Sequence, residues 1–277
     1  MMRGLLLLVM IICLFQGKIN AQKVDTVIIN SAVMPKAGKA VVVLPKQYKK
    51  RQLRFPVVYL LHGYGGNYSN WIKLVPQIKE LATAYNSIIV CPDGGISSWY
   101  LNSPIDSNSR YATYIGEEVP KFIDANYRTI AQKEARAITG LSMGGHGGLY
   151  LGIQFPEIFG ACGSMSGGVD LRNSSRKYDL ALRIGDSAIY PQNWYNFSVV
   201  HQVEKLKNKP VNMIIDCGVN DFFFSINQQL HQKLLDLGIP HDYIERPGEH
   251  NWTYWANAIH FQLVFFDNYF KKNLNKL

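Results

Sequence analysis

Cysteine is scarce, with 4 in 277 residues. Cys13 lies in the N-terminal apolar stretch, which leaves Cys91, Cys162 and Cys217. Three thiols cannot all pair internally. Each sits in an apolar run, "SIIVCPDGG", "FGACGSMSGG" or "NMIIDCGVND", so all three are expected as buried free thiols acting as small hydrophobes. That excludes a disulfide scaffold, and the spacing offers no metal site. Long hydrophobic runs are missing too. The longest, Leu5–Phe15, has 11 residues, short of the roughly 20 that a spanning helix requires. Arg3 precedes it, and small or polar residues follow up to Ala21. This is the layout of a secretory signal peptide. Cleavage is expected after Ala21, giving a signal peptide at 1–21 and a single domain at 22–277. Ile12, before Cys13, is too large for a lipoprotein signal. The expected location is secreted or periplasmic, without stable membrane insertion. No repeat, low-complexity linker or break in composition divides the remainder, which suits one large globular domain.

Acidic residues are also few, 20 against 29 basic, for a formal charge of +9. Loss of Arg3 and Lys18 with the leader would leave +7. The basic residues cluster in "KQYKKRQLR" (Lys46–Arg54) and in the C-terminal "KKNLNKL". They read as a solvated loop and a solvated helix end, with an acidic polysaccharide or anionic surface as the functional alternative. No nucleic-acid-binding motif is present. What the chain does have is hydrophobic residues, 47% of the total, and aromatics, 12%, enough to build a core.

Those hydrophobics fall into short, β-branched, nearly continuous runs: "KAVVVLP", "FPVVYLLHG", "SIIVCPDGG", "ARAITGLS", "ACGSMSGG", "VNMIIDCG" and "HDYIERPG". Such runs fit parallel strands buried on both faces. Segments with helical spacing lie between them, including "WIKLVPQIKELATAY", "RYATYIGEEVPKFIDANY" with a kink or start at Pro120, and "WTYWANAIHFQLVFFDNYFKKN". The alternation predicts an α/β fold, a mostly parallel central sheet with helices on both faces. "KVDTVIINSAVMPKAGKAVVVLP" reads as an antiparallel edge, and Asp170–Lys209, after the sixth strand, as an insertion over the top of the sheet. Ligands of open parallel sheets bind beyond the carboxyl ends of the strands, so the residues just after each strand matter most.

One such place is "GLSMGGHGG". Gly140-Leu141-Ser142-Met143-Gly144 fits G-x-S-x-G between a strand and a helix, the context of a nucleophile elbow. A serine hydroxyl needs a neighbouring base. Of the 7 histidines, His250 lies on the loop after the last strand, where that base is placed in chain order. His62, at the end of a strand, is assigned to backbone geometry. His146, on the helix after the serine, leads away from it. The imidazole needs an acid on its other nitrogen. Asp216 lies within its strand and Asp221 just beyond, so Asp221 is the candidate. The amide of Met143 and one from "LLHGYGGNYSNW", with Tyr64 as the donor, are the candidate oxyanion hole. Trp99, Tyr100, Trp194 and Trp255, with Tyr190 and Tyr195, are candidates for stacking on a substrate.

These motifs resemble one family. "YLLHGYGGNYSNW", "VCPDGG", "GLSMGGHGG", "DCGVNDFFF" and "RPGEHNWTYW" are similar to those of the esterase D-type branch of the α/β-hydrolases, which includes feruloyl, acetyl xylan and tributyrin esterases, S-formylglutathione hydrolases and mycolyltransferases. The resemblance implies an α/β-hydrolase fold, a serine carboxylic-ester hydrolase with Ser142, Asp221 and His250 as its triad, oxyanion donors Tyr64 and Met143, and no cofactor. The substrates implied are acetyl or feruloyl esters of plant polysaccharide, or short-chain esters. The alternatives are an acyltransferase of the mycolyltransferase type and an inactive carbohydrate-binding relative. Asn220 departs from the family pattern, which often has Glu before the acid.

Overall fold

The computed structural model describes residues 22–174, 177–208 and 210–275. The proposed signal peptide lies outside the described residues. Eight strands form one sheet: β1 (Val24–Ile29), β2 (Gly38–Val43), β3 (Val57–Leu61), β4 (Ile88–Pro92), β5 (Arg136–Gly140), β6 (Ala161–Met165), β7 (Asn212–Gly218) and β8 (Asp242–Arg246). Their order is β1-β2-β4-β3-β5-β6-β7-β8. β1 pairs with β2, and β2 with β4, antiparallel; every other pairing is parallel. The antiparallel edge and the parallel remainder are both as the sequence predicts.

Continuous hydrophobicity in the strands has a direct cause. Successive side chains of a strand point to opposite faces, and both faces of this sheet are covered. On β3, Val57, Tyr59 and Leu61 enter one core, while Val58 and Leu60 enter the other. The first core is closed by the segment α3 (Tyr111–Thr113), a π-helical turn (Tyr114–Glu118) and α4 (Val119–Asn126), then by α5 (Met143–Gln154) and α9 (Phe224–Asp236). The second is closed by α1 (Asn70–Leu74), α2 (Ile78–Ala84) and α10 (Trp252–Leu274). Pro76 separates α1 from α2, and Pro120 sits where the π-helical turn passes into α4, interrupting the helical hydrogen-bond ladder there.

The chain between β6 and β7 carries α6 (Leu180–Ile184), α7 (Pro191–Phe197) and α8 (Val199–Gln202). This is the expected insertion. The indole of Trp99 donates to the carbonyl of Tyr178 at 3.0 Å, and Arg183 Nη2 donates to Ser97 Oγ at 3.0 Å. Both contacts tie the insertion to the loop after β4. Cys91, Cys162 and Cys217 are free and buried on β4, β6 and β7. Burial pushes the thiols of Cys91 and Cys162 up to about 12, which keeps them protonated and inert.

Candidate active site

Ser142 joins β5 to α5 with φ +55° and ψ −116°. A positive φ is strained for a residue with a Cβ. Its amide is fixed by donating to the carbonyl of Met165 at 2.9 Å. The flanking glycines are there for space. A Cβ on Gly140 would come within 2.6 Å of the Leu61 Cβ, and one on Gly144 within 2.6 Å of the His62 carbonyl oxygen. The turn can be this sharp only with hydrogen at both positions, which accounts for the G-x-S-x-G pattern.

His250 follows β8 and Asp221 follows β7, and the parallel register of the two strands brings their carboxyl ends side by side. Nε2 of His250 lies 2.8 Å from Ser142 Oγ. Nδ1 lies 2.8 Å and 3.0 Å from the two carboxylate oxygens of Asp221. With the proton on Nδ1, the imidazole donates to Asp221 and accepts from the serine hydroxyl. That state can take the serine proton when the hydroxyl attacks. Asp221 Oδ1 also accepts the amide of Phe223 at 2.8 Å, which orients the carboxylate. The imidazole is boxed by aromatic rings: Phe222 at 4.2 Å, Trp255 at 4.9 Å and Phe223 at 5.4 Å between centroids. The helix after His250 is capped by Asn251, whose side chain accepts the Tyr254 amide at 3.0 Å.

The Gly-rich loop after β3 reaches the same place. His62 pins it. Its Nδ1 donates to the carbonyl of Gly63 at 2.8 Å, and its Nε2 accepts the amide of Gly94 at 2.8 Å. Burial lowers the pKa of His62 and so favours the neutral ring that this accepting role requires. The amides of Tyr64 and Met143 have no acceptor among the described residues. Met143 is the first residue of α5, where free N–H groups and the helix dipole favour negative charge. The Tyr64 hydroxyl donates to Asp179 at 3.1 Å, and its ring meets that of Tyr178 at 5.4 Å. The insertion therefore grips the loop that carries one candidate donor.

Ser142 and His250 open into a cavity of about 530 Å³ lined also by Gly63–Gly66, Asn70, Leu141, Tyr178, Phe222, Asn251, Trp252 and Trp255. Of the six aromatics expected to contact substrate, the structure brings only Trp255 there; Tyr190 and Tyr195 are exposed on the insertion and do not line the cavity. Trp99, Tyr100 and Trp194 are no more than 1% exposed. Trp99 lies under the insertion, the hydroxyl of Tyr100 donates to the His62 carbonyl at 2.9 Å, and the Trp194 indole donates to the Gly185 carbonyl at 2.9 Å. They hold the loops together and do not face the cavity. Tyr178, Phe222 and Trp252 take the place assigned to them. Phe222 could have been found from the run "DFFF" beside Asp221. Tyr178 carried no such signal.

His146 lies apart from the serine, as expected. It is buried, with Nδ1 3.2 Å from the Trp99 carbonyl and Nε2 2.9 Å from that of Phe197. Burial lowers its pKa to about 4. Among the described residues no cluster of three or more His, Cys, Asp or Glu side chains could hold a metal ion. No helix among them is long and apolar enough to cross a membrane.

Comparison with known proteins adds a family to this geometry. Residues 31–266 match the Esterase family, described as "Putative esterase". The chain belongs to this family. An acetyl esterase of Caldicellulosiruptor saccharolyticus is 30% identical over 215 residues, 73% of this chain and 79% of that protein. An esterase of Mycobacterium tuberculosis is 28% identical over 235 residues, 76% of this chain but 51% of its own length. The chain thus spans about half the length of that curated relative. The structure of a ferulic acid esterase superposes with a TM-score of 0.76 at 27% identity, over 90% of this chain and 98% of that one. The fold is the α/β-hydrolase fold expected from the motifs.

Proposed function

We propose that the protein is a secreted serine esterase that cleaves carboxylic esters, with acetyl or feruloyl groups on plant polysaccharide as its substrates. The observation that carries this reading is the hydrogen-bonded series Ser142–His250–Asp221 at the mouth of an open cavity. Ser142 Oγ attacks the ester carbonyl as His250 Nε2 accepts its proton. Negative charge develops on the carbonyl oxygen and is met by the amides of Tyr64 and Met143. Loss of one such donor typically costs about 3–4 kcal/mol of barrier. His250 then protonates the departing alcohol, leaving an acyl-serine, and next activates water to release the acid. Asp221 stays ionised and holds the imidazole in the required tautomer.

The aromatic lining supports the substrate class. Phe222, Trp252, Trp255 and Tyr178 line the cavity with aromatic surface suited to a cinnamoyl-type acyl group or a sugar. The names of the relatives, an acetyl esterase and a ferulic acid esterase, fit both options.

The test is kcat/KM on nitrophenyl acetate, nitrophenyl butyrate, methyl ferulate and acetylated xylan, with Ser142→Ala as control. The substitution is expected to remove turnover by about six orders of magnitude while circular dichroism stays unchanged. Turnover that survives it would sink the assignment. A folded protein that releases no acid, yet transfers the acyl group to an added sugar, would favour the acyltransferase alternative.

A further inference from the structure

The basic stretch Lys46–Arg54 has no part in the chemistry above. Its first half is a 3-10 turn, Lys46–Lys49, that follows β2. β2 runs antiparallel to β4, so this turn lies beside the amino ends of the parallel strands. Ser142 lies beyond their carboxyl ends, at the opposite pole. At the far pole Lys23, Lys46, Lys49, Arg51 and Arg128 line a cavity of about 320 Å³ with no acidic side chain in its wall. Lys23 pairs with Asp25 at 3.2 Å. Lys46, Lys49 and Arg51 have no carboxylate partner among the described residues.

The cleft is held in shape. The Arg128 guanidinium lies 3.9 Å from the Tyr48 ring centre. Its Nε donates to the Leu53 carbonyl at 3.2 Å, and its Nη2 to the Tyr48 carbonyl. The 3-10 turn is tied to α2, where the Lys46 amide donates to Thr83 Oγ1 at 3.2 Å and Gln47 Nε2 to the Thr83 carbonyl at 3.1 Å. Converging cations in a concave wall focus a positive potential on whatever enters.

The surroundings choose among anions. Membrane-binding faces combine basic residues with exposed apolar ones that enter the lipid. Among the described residues, none of the large exposed hydrophobics falls within 44–54 or 127–133. Single-stranded nucleic acid is gripped by stacking bases on free aromatic rings. The Tyr48 ring is covered by Arg128 and packs against Phe55 at 5.4 Å. A carboxylate-bearing polymer needs neither feature. We propose that this cleft binds a uronate-rich polysaccharide through Lys46, Lys49, Arg51 and Arg128. It is a second site, and a protein held there presents Ser142 outward.

The experiment measures binding of the purified protein to immobilised polygalacturonate, neutral arabinoxylan, a single-stranded oligonucleotide and phosphatidylglycerol vesicles. Polygalacturonate is expected to bind, arabinoxylan not to, and the affinity to fall steeply with salt. The triple variant Lys46→Glu/Lys49→Glu/Arg51→Glu is expected to weaken binding at least about tenfold without a change in melting temperature. If it fails to fold, Lys49→Gln/Arg51→Gln serves instead, with a loss of about threefold expected. No binding to polygalacturonate, or binding that survives in the folded variant, overturns the proposal. Tighter binding to vesicles or oligonucleotide overturns the choice of ligand.

Discussion

Two carboxylates on β7 and the turn that follows it live in different layers of the molecule. Asp221 lies just beyond the strand, buried beneath the imidazole of His250, and hydrogen-bonds to it. Asp216 lies within the strand. Its side chain is buried too, but it accepts from the Tyr254 hydroxyl and pairs with Arg246 at 2.6 Å. Burial pushes its pKa up, while the bonds from Tyr254 and Arg246 pull it down. The lower carboxylate ties β7 to β8 and α10, and the upper one orients an imidazole. The two histidines divide the same way. His250 reaches Ser142, whereas His146 is enclosed between backbone carbonyls. Residue type does not separate the roles. Height along the strand, and with it reach to the residues around Ser142, does.

The largest effect expected from this contrast, after that of Ser142→Ala, is on Asp221. Asp221→Asn should lower kcat by about four orders of magnitude, because the amide supports the wrong tautomer of His250, and should leave the melting temperature nearly unchanged. Asp216→Asn should do the reverse. It removes charge from a buried pair and should cost about 1–3 kcal/mol in urea unfolding, with kcat within a few-fold. If Asp216→Asn instead abolished turnover and Asp221→Asn only lowered stability, the two layers would exchange roles.

The histidines sharpen the contrast through pH. A folded pKa of about 4 for His146 lies below the ordinary value of 6.5. Between these values the unfolded chain binds a proton that the folded chain refuses. Stability from this residue is therefore full above pH 6.5 and is lost as pH falls to about 4, on the order of 3 kcal/mol over the window. His146→Gln should flatten that part of the melting temperature against pH. An unchanged slope would mean that other groups carry the acid sensitivity.

The contrast between Asp221 and Asp216 rests on positions that were legible in the chain. Each candidate lies at the end of an apolar strand run, and in a parallel sheet those ends share one side of the molecule. The glycines around Ser142 were legible for the same reason, since the elbow leaves no room for Cβ at Gly140 or Gly144. Chain order and spacing were enough to single out Ser142, Asp221 and His250, the three side chains that the structure brings into hydrogen-bond contact.

The aromatic lining was not legible. A strand or helix imposes a period on its side chains, but a loop imposes none. Trp99 and Tyr100 both adopt positive φ, 53° and 59°, and turn inward beneath the insertion. Trp194 packs inside the insertion itself, while Trp252, on the first turn of α10, faces the cavity. The sheet, the strand ends and the polar residues placed on them could all be read from the chain, because strand periodicity and strand direction are local properties. Which rings face the cavity, and that Asp179 holds the Tyr64 hydroxyl, depends on how the insertion packs over the sheet, because contacts between distant loops have no signature in either.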